Sequence, residues 1–253
     1  MGSPPAGPQR SEFAMAPTVR HACLSDRGLT HADNEDRWLA DPDLGLYAVA
    51  DGMADARPSQ VTVDLLPRLV RHRFGTVPGL GDARAAAALR AVVTEVSERV
   101  RDLGCGGSTL VLALVRGPQA LLAHLGDSRI YLLRGGQLRQ LTSDHSFVQE
   151  MVDQGMMSVE EARRRRSNGG PTRFVGMNGE AVADIGPLDL RPGDRLLLCS
   201  DGLTGMLDDD RLRAALVAGP APADVCRRLV AEANAAGGHD NITALVLDYL
   251  GSS

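Results

Sequence analysis

Short apolar runs bounded by turn residues predict β-strands along most of the chain. LYAVA ends abruptly in an Asp-Gly pair at Asp51, and LLLCS ends in the same way at Asp201. A Gly-Gly pair at Gly135 separates two strand-like runs, which predicts a tight hairpin and antiparallel pairing. The predicted strands are residues 46–50, 110–115, 120–124, 130–133, 196–200 and 242–248.

Apolar residues at spacings of three and four predict helices between these groups of strands. Ser158 followed by Glu161 has the spacing of a capping box. The predicted helices are residues 60–74 with Pro58 near the first turn, 83–103, 146–154, 159–166, 209–217 and 222–236. Because the helices bunch instead of alternating with strands, the pattern favours an α+β fold, with packed sheets and outer helices, over a doubly wound parallel sheet.

Composition narrows the class of protein further. The 253 residues can bury a substantial core, and the net charge of −5 gives no electrostatic case for binding nucleic acid or an anionic membrane. The four cysteines lack metal-site spacing and suit buried thiols in a reducing cytosol. No apolar run reaches the ~18 residues of a membrane span. We therefore predict a cytoplasmic protein, and a monomer because no heptad pattern is present.

Acidic residues carry the candidate chemistry. Six of them interrupt apolar, glycine-rich or turn sequence: Glu35, Asp36, Asp51, Asp127, Asp201 and Asp240. Taken singly, each Asp-Gly is usually only a turn. If the acids converge, two carboxylates ~4 Å apart repel by ~4 kcal/mol at an effective dielectric near 20, so divalent metal is the natural counter-charge. Oxygen ligands select Mg²⁺, Mn²⁺ or Ca²⁺, and two such ions sharing a water suit phosphate ester hydrolysis.

The ordered motifs resemble the metal-dependent serine/threonine protein phosphatases of type 2C, in their bacterial single-domain form. The matching stretches are SDRGLTHADNED, LYAVADGM, GGSTLVLALV, AHLGDSRIYLLRGGQLRQLTSDHS, VQEMVDQGMMSVEEARRR, TRFVG, RPGDRLLLCSDGL and GGHDNITALVLD, in that order. The resemblance implies a four-layer α-β-β-α sandwich, in which two antiparallel sheets are flanked by helices. It implies one phosphatase catalytic domain over residues 16–250, after a cloning remnant or disordered tail over residues 1–15.

The resemblance implies a signalling hydrolase that acts on phosphorylated serine and threonine in proteins through a metal-bridging hydroxide. In this interpretation Asp51 bridges two Mg²⁺ or Mn²⁺ ions, while Asp201 and Asp240 complete the shell of the first ion. Each Asp-Gly pair would place a ligand at the mouth of the sandwich, and the glycine would let the backbone approach the ion.

The second ion has its own set of implied ligands. Glu35, the carbonyl of Gly52, and Asp36 directly or through water would hold it. Asp127 resembles the acid that helps hold a weaker third ion in bacterial members. Residues 146–179 resemble the mobile flap beside the active site, and we call them the flap segment.

Two positions depart from the family pattern. His31 stands where members carry an arginine that clamps substrate phosphate, so we expect a weaker phosphate contact from His31, the alternative being a surface histidine without a role. Ala54 follows Met53 where members continue Gly-Gly, and alanine would be strained there if its φ were positive. Four arginines at residues 163–166 read as a solvated helix face or as a docking patch for acidic phosphoprotein segments.

Two other functions stay open at this point. One is a regulatory phosphatase dedicated to a single phosphoprotein partner. The other is a catalytically impaired phosphoprotein-binding module, which the changes at His31 and after Met53 permit but the intact acid set disfavours. The remaining histidines, including His145 and His239 within matched motifs, are assigned no role.

Overall fold

The computed structural model describes residues 19–75, 77, 79–158, 161–162 and 170–251. The predicted tail over residues 1–15 lies outside this range. So do the four arginines at 163–166 and, apart from residues 161 and 162, the predicted helix over 159–166.

Two five-stranded antiparallel sheets form the centre of the described structure. One sheet has the order β1-β12-β11-β8-β9 and the other β10-β7-β6-β3-β2, and a short separate pair, β4-β5, lies next in the chain to β3 and β6 of the second sheet. The strands are β1 Val19–Asp26, β2 Arg37–Asp41, β3 Leu46–Ala50, β4 Gly52–Met53, β5 Gly107–Ser108, β6 Leu110–Arg116, β7 Gln119–Leu125, β8 Arg129–Arg134, β9 Gln137–Gln140, β10 Asp184–Asp189, β11 Arg195–Cys199 and β12 Ile242–Tyr249.

Helices cover the outer face of each sheet. The described helices are α1 Ala56–Phe74, α2 Ala83–Arg101, α3 Phe147–Asp153, α4 Asp201–Thr204, α5 Asp209–Ala218 and α6 Pro222–Ala235. The two long helices α1 and α2 begin at aspartate caps, Asp55 and Asp82, whose side chains accept backbone N–H groups of the first turn.

Alternation along the strands builds three apolar layers. In β3, Leu46 and Ala48 pack with α1 and α2, whereas Tyr47 and Val49 face the other sheet. In β12, the residues Ile242, Ala244 and Val246 pack with α4, α5 and α6, and Leu245 and Leu247 fill the space between the sheets. A core on each outer face and one between the sheets make the four-layer α-β-β-α sandwich that the sequence predicted.

The strands deliver several loops to the same edge of the sandwich. β1 and β12 run antiparallel from the pair Asp26–Ile242 at this edge to the pair Val19–Tyr249 at the opposite edge. The ends of β3 and β11 lie at the first edge, because Ala50 pairs with the start of β2 and Cys199 pairs with the start of β8. The sheet register therefore gathers the loops that carry the candidate acids.

The predicted elements match the observed ones to within a few residues. All six predicted strands are present, and the Gly-Gly hairpin joins β8 to β9 with positive φ at Gly135 and Gly136. The chief omissions are β1, β2 and β10, whose residues are largely half-buried or exposed. The short helix α4 was also not predicted, and it begins at Asp201 itself.

Candidate metal centre

The six candidate acids lie on loops at one edge of the sandwich. They are Glu35 and Asp36 before β2, Asp51 after β3, Asp127 between β7 and β8, Asp201 at the start of α4, and Asp240 before β12. Glu35 and Asp36 share one loop, and the other four acids each come from a different loop. The grouping is therefore a property of the fold and not of local sequence.

The carboxylates are close enough to perturb one another. Burial raises the pKa of Asp51 well above its usual value, and the charges of Asp36, Asp201, Asp127 and Asp240 raise it further. Burial likewise raises the pKa of Asp36 to about 7 and that of Asp127 to about 7, and Asp201 adds to both. Because each charge disfavours the ionisation of its neighbours, the set needs a positive counter-charge to be fully ionised.

Unpartnered oxygens point to what that counter-charge is. Asp36 Oδ1 and Asp201 Oδ1 are buried and have no hydrogen-bond partner among the described residues. Asp201 also lies near the Asp51 carboxylate, and each of the two affects the pKa of the other. An unsatisfied buried polar group costs about 1–3 kcal/mol, and a hard divalent cation removes both this cost and the repulsion. A donor set of carboxylates therefore fits a hard divalent ion such as Mg²⁺ or Mn²⁺.

Ser200 fixes the orientation of Asp36. The Ser200 hydroxyl donates to Asp36 Oδ2 at 2.7 Å and accepts the N–H of Thr243 at 3.0 Å. Asp36 is only 2% exposed, although it is a carboxylate. This hydrogen bond joins the β2 side of one sheet to β11 and β12 of the other and leaves Oδ1 as the oxygen available to a ligand.

Asn241 joins the backbone of the Asp240 loop to that of the Glu35 loop. Its Oδ1 accepts the N–H of Glu35 at 2.7 Å, and its Nδ2 donates to two carbonyls of the β1–β2 loop at 2.9 and 3.0 Å. The carbonyl of Glu35 accepts the N–H of Gly52 at 3.3 Å. Three of the candidate loops are therefore held in one hydrogen-bonded unit.

Each Asp-Gly glycine lies directly against the backbone of a neighbouring loop. A Cβ atom at Gly52 would lie 2.8 Å from the carbonyl oxygen of Glu35, and one at Gly202 would lie 2.1 Å from that of Asn241. Both distances are too short for a side chain. The glycines let the candidate ligand loops pack together, which is a reason for them apart from the predicted approach to an ion.

His31 lies at the rim of the acid set. Its Nε2 is 3.4 Å from Asp240 Oδ1, and the two side chains are 47% and 49% exposed. The structure thus brings His31 next to one of the candidate ligands while leaving it open to solvent, as a contact to substrate phosphate would require.

The loop after Met53 carries the strain that the sequence suggested. Ala54 has φ of +71° and is the only non-glycine residue with positive φ in the part of the chain that the structure describes. The prediction that alanine would be strained at this position is confirmed. The loop still ends in a well-formed helix start at Asp55, so the strain is local.

The flap segment is attached to the sandwich at its returning end. Val175 pairs with Ser108 of β5 through two backbone hydrogen bonds of 2.7 and 3.0 Å. Within the segment, Ser158 and Glu161 form the predicted capping box, with the Glu161 N–H donating to Ser158 Oγ and the Ser158 N–H donating to Glu161 Oε2.

Comparison with known proteins agrees with this site. A family model described as protein phosphatase 2C matches residues 26–237. The chain belongs to the protein phosphatase 2C family. It is 38% identical to the Mycobacterium tuberculosis serine/threonine protein phosphatase PstP over 241 residues, which is 92% of this chain but 45% of PstP. The chain thus spans about half the length of that relative.

Other members of the protein phosphatase 2C family match over nearly their whole length. Protein phosphatase PhpP of Streptococcus pneumoniae is 42% identical over 234 residues, 88% of this chain and 95% of PhpP. The catalytic domain of PstP in complex with two manganese ions superposes with a TM-score of 0.72 at 36% identity, covering 92% of this chain and 98% of that domain. The predicted family and sandwich fold are confirmed, and this solved relative holds two manganese ions. Among the described residues, no helix is long and apolar enough to cross a membrane.

Sequence reasoning missed the residues that position the acids of this member of the protein phosphatase 2C family. Ser200, Asn241 and Thr109 make the hydrogen bonds that orient or connect the ligand loops. For Ser200 and Asn241 the available signal was a polar residue at one end of an apolar strand, directly beside a candidate acid, whereas Thr109 adjoins no candidate acid. That signal does not name the partner, since the partners come from distant parts of the chain.

Proposed function

We propose that this chain is a Mg²⁺- or Mn²⁺-dependent phosphatase that hydrolyses phosphoserine and phosphothreonine in proteins. The observation that carries the proposal is the convergence of acids from separate loops at one sandwich edge, with two buried carboxylate oxygens lacking partners among the described residues. Family membership supports phosphoprotein substrates, and the two-manganese complex of PstP supports two core ions.

The proposed ligands of the first ion are Asp51, Asp201 and Asp240, with Asp51 shared between the ions. When bound, the ions would lower the pKa of a coordinated water and neutralise charge on the phosphoryl oxygens. Asp51, Asp201 and Asp240 are proposed as catalytic because removing any of these charges would leave the reacting phosphate group without its positioned cation.

The proposed ligands of the second ion are Glu35, Asp36 and the carbonyl of Gly52, with Asp127 at a weaker third ion. The Ser200 hydroxyl holds one Asp36 oxygen, so that the other stays available. His31 at the rim would donate to substrate phosphate when protonated, and a bound phosphate would favour that protonated form.

We propose further that residues 16–250 act as one catalytic domain, as a cytoplasmic monomer. All four cysteines are free thiols, which a reducing compartment favours. The monomer is proposed because the large exposed apolar side chains come from separate elements, such as Trp38 in β2, Phe147 in α3 and Val217 in α5. Light scattering behind a sizing column tests the monomer directly.

Turnover across a Mn²⁺ titration tests the proposal. We expect hydrolysis of p-nitrophenyl phosphate and of a phosphothreonine peptide to saturate with Mn²⁺, to vanish in excess EDTA and to return when Mn²⁺ is restored. Full activity in chelator would contradict the metal mechanism. A regulatory phosphatase dedicated to one partner would hydrolyse p-nitrophenyl phosphate and ignore generic phosphopeptides, and an impaired binding module would bind Mn²⁺ in calorimetry without turnover.

A further inference from the structure

Three polar side chains form a cluster behind the Asp127 turn. A ring nitrogen of His124, a ring nitrogen of His145 and a carboxylate oxygen of Asp184 lie within 4.8 Å of one another. The two histidines are each 3% exposed, and their ring centroids are 4.3 Å apart. The sheet register builds the cluster, because β10 pairs Asp184 with His124 of β7, three residues before Asp127.

Both ring nitrogens of His145 are engaged in hydrogen bonds, which argues against a metal site in this cluster. Its Nδ1 accepts the N–H of Gly126 at 3.1 Å, so this nitrogen carries no proton. In the neutral ring the proton is then on Nε2, which donates to Asp184 Oδ2 at 3.1 Å. A metal ligand needs a free nitrogen lone pair, and His145 has none to offer. Asp184 is also engaged by Arg173, whose Nη1 is 3.3 Å from Oδ1.

His145 holds Gly126 by both of its backbone groups. In addition to accepting the Gly126 N–H, His145 donates its own N–H to the Gly126 carbonyl at 2.8 Å. Gly126 has φ of +113°, and a Cβ atom there would lie 2.7 Å from Thr109. The turn is therefore confined between Thr109 and His145, and the next residue is Asp127.

The same residue holds the flap segment at two points along the chain. The segment begins directly after His145, and its returning end contacts His145 again, since Thr172 donates its N–H to the His145 carbonyl at 2.7 Å. The following residue, Arg173, reaches both the Val182 carbonyl at 3.1 Å and the Asp184 carboxylate. A displacement of Thr172 and Arg173 would therefore disturb the hydrogen bonds of His145 and of its partner Asp184.

We propose that His145 is a positioning residue that couples the flap segment to Asp127. Its ring carries the coupling: Nδ1 fixes the backbone before Asp127, and Nε2 fixes the flap-side anchor at Asp184. Loss of the Nδ1 contact would free the Gly126–Asp127 turn and weaken metal binding at Asp127. This inference rests on the proposed function for the identity of the ion, but the geometry of the coupling does not depend on turnover.

Two amide variants separate the two contacts of the ring. In His145→Asn, the amide oxygen takes the place of Nδ1 and can accept from Gly126, but the side chain is too short to reach Asp184. In His145→Gln, the amide nitrogen takes the place of Nε2 and can donate to Asp184, while the acceptor for Gly126 is lost. Mn²⁺ binding by calorimetry, kcat and KM for p-nitrophenyl phosphate, and urea unfolding are measured for both.

We expect His145→Gln to weaken the weakest Mn²⁺ site about tenfold, as loss of a ligand-orienting contact commonly does, with kcat falling and KM little changed. His145→Asn should stay within about twofold of the wild-type Mn²⁺ affinity. In an Asp127→Ala background, His145→Gln should cause no additional loss of kcat. Calorimetry keeps the inference testable if no substrate is hydrolysed, so that its failure is distinguishable from failure of the proposed function.

Three results would overturn the proposal. Equal loss of Mn²⁺ affinity in the two variants, in proportion to lost unfolding free energy, would make His145 merely structural. An undiminished effect of His145→Gln in the Asp127→Ala background would remove the link to Asp127. Stoichiometric zinc in wild-type protein that is absent from both variants would make the cluster a metal site.

Discussion

Thr109 and Asp51 are joined through both backbone groups of Asp51. The Asp51 N–H donates to Thr109 Oγ1 at 3.0 Å, and the Thr109 N–H donates to the Asp51 carbonyl at 2.8 Å. The same hydroxyl is 2.6 Å from the hydroxyl of Ser128, the residue after Asp127. One buried threonine therefore sets the relative position of the two candidate ligands.

Thr109→Val should weaken Mn²⁺ binding about tenfold and lower the free energy of unfolding by about 1–3 kcal/mol, since it leaves buried donors unpaired. Calorimetry and urea denaturation measure the two effects. Thr62 in α1 is the matched control, because it is equally buried but its hydroxyl donates within the helix to the Pro58 carbonyl. Thr62→Val should change stability alone. Unchanged Mn²⁺ affinity in Thr109→Val would refute the role.

Asp51→Asn and Asp201→Asn should each abolish turnover, because each removes a charged ligand from the proposed first ion. Asp127→Ala should lower turnover while the two core ions stay bound. The measurements are kcat for p-nitrophenyl phosphate and the number of Mn²⁺ ions bound in calorimetry. Asp210→Asn, an exposed acid in the first turn of α5, is the control and should keep both values. Loss of the core ions in Asp127→Ala would contradict its assignment.

His31→Arg should lower KM for p-nitrophenyl phosphate several-fold, because a guanidinium is always charged and donates two hydrogen bonds to phosphate. It should also flatten the dependence of KM on pH, because a guanidinium keeps its charge where a histidine can lose its proton. His72→Arg, at an exposed position of α1, is the control. If KM and its pH profile are the same in His31→Arg and the wild type, His31 is a surface residue without a role.

Ala54→Gly should raise the free energy of unfolding by on the order of 0.5–1 kcal/mol. Relief of the left-handed conformation contributes about 1–2 kcal/mol, and the greater freedom of glycine in the unfolded chain takes back part of this. Ala87→Gly, at an exposed interior position of α2, should instead lose about 1 kcal/mol. Urea denaturation distinguishes the two. A loss of stability in Ala54→Gly would mean that the Ala54 methyl group stabilises the folded loop by more than the left-handed conformation costs.

Acid should remove the contribution that neutral, buried His124 makes to the stability of the fold. Burial, with a smaller contribution from His145, lowers the pKa of His124 to about 4, below the unfolded value near 6.5. Between these two values the unfolded chain binds more protons, so this stability is complete above pH 6.5 and falls as the pH drops towards 4, by on the order of 3 kcal/mol. Urea denaturation of wild type and His124→Gln from pH 4 to 7 measures it. Parallel pH profiles for the two proteins would rule His124 out as the cause.

Continuous apolar strands were predictable because both of their faces are covered. Leu46–Ala50 was predicted to the residue, since the helices bury one face and the opposite sheet buries the other. Edge strands gave no such signal. β10 reads DIGPLD, with a proline that only an edge strand or bulge tolerates, and β1 is half-buried along most of its length.

The candidate acids were predictable and the residues that hold them were not. An acid that ends an apolar run is conspicuous in a sequence. The hydrogen bond from Ser200 to Asp36 spans 164 positions, and the one from Glu35 to Asn241 spans 206. Neither has a local spacing that could have predicted it, and the same holds for the two contacts that His145 makes to Gly126.

The pairing of Val19 with Tyr249 has a practical consequence. The two residues lie side by side at one end of the β1–β12 pair. Seven residue steps along these strands, roughly 23 Å at the strand rise, separate them from the edge of the sandwich that carries the candidate acids. A tether, a fusion partner or a solid support joined at either point would lie at the edge opposite the candidate metal site. It would leave that site accessible to a phosphorylated protein.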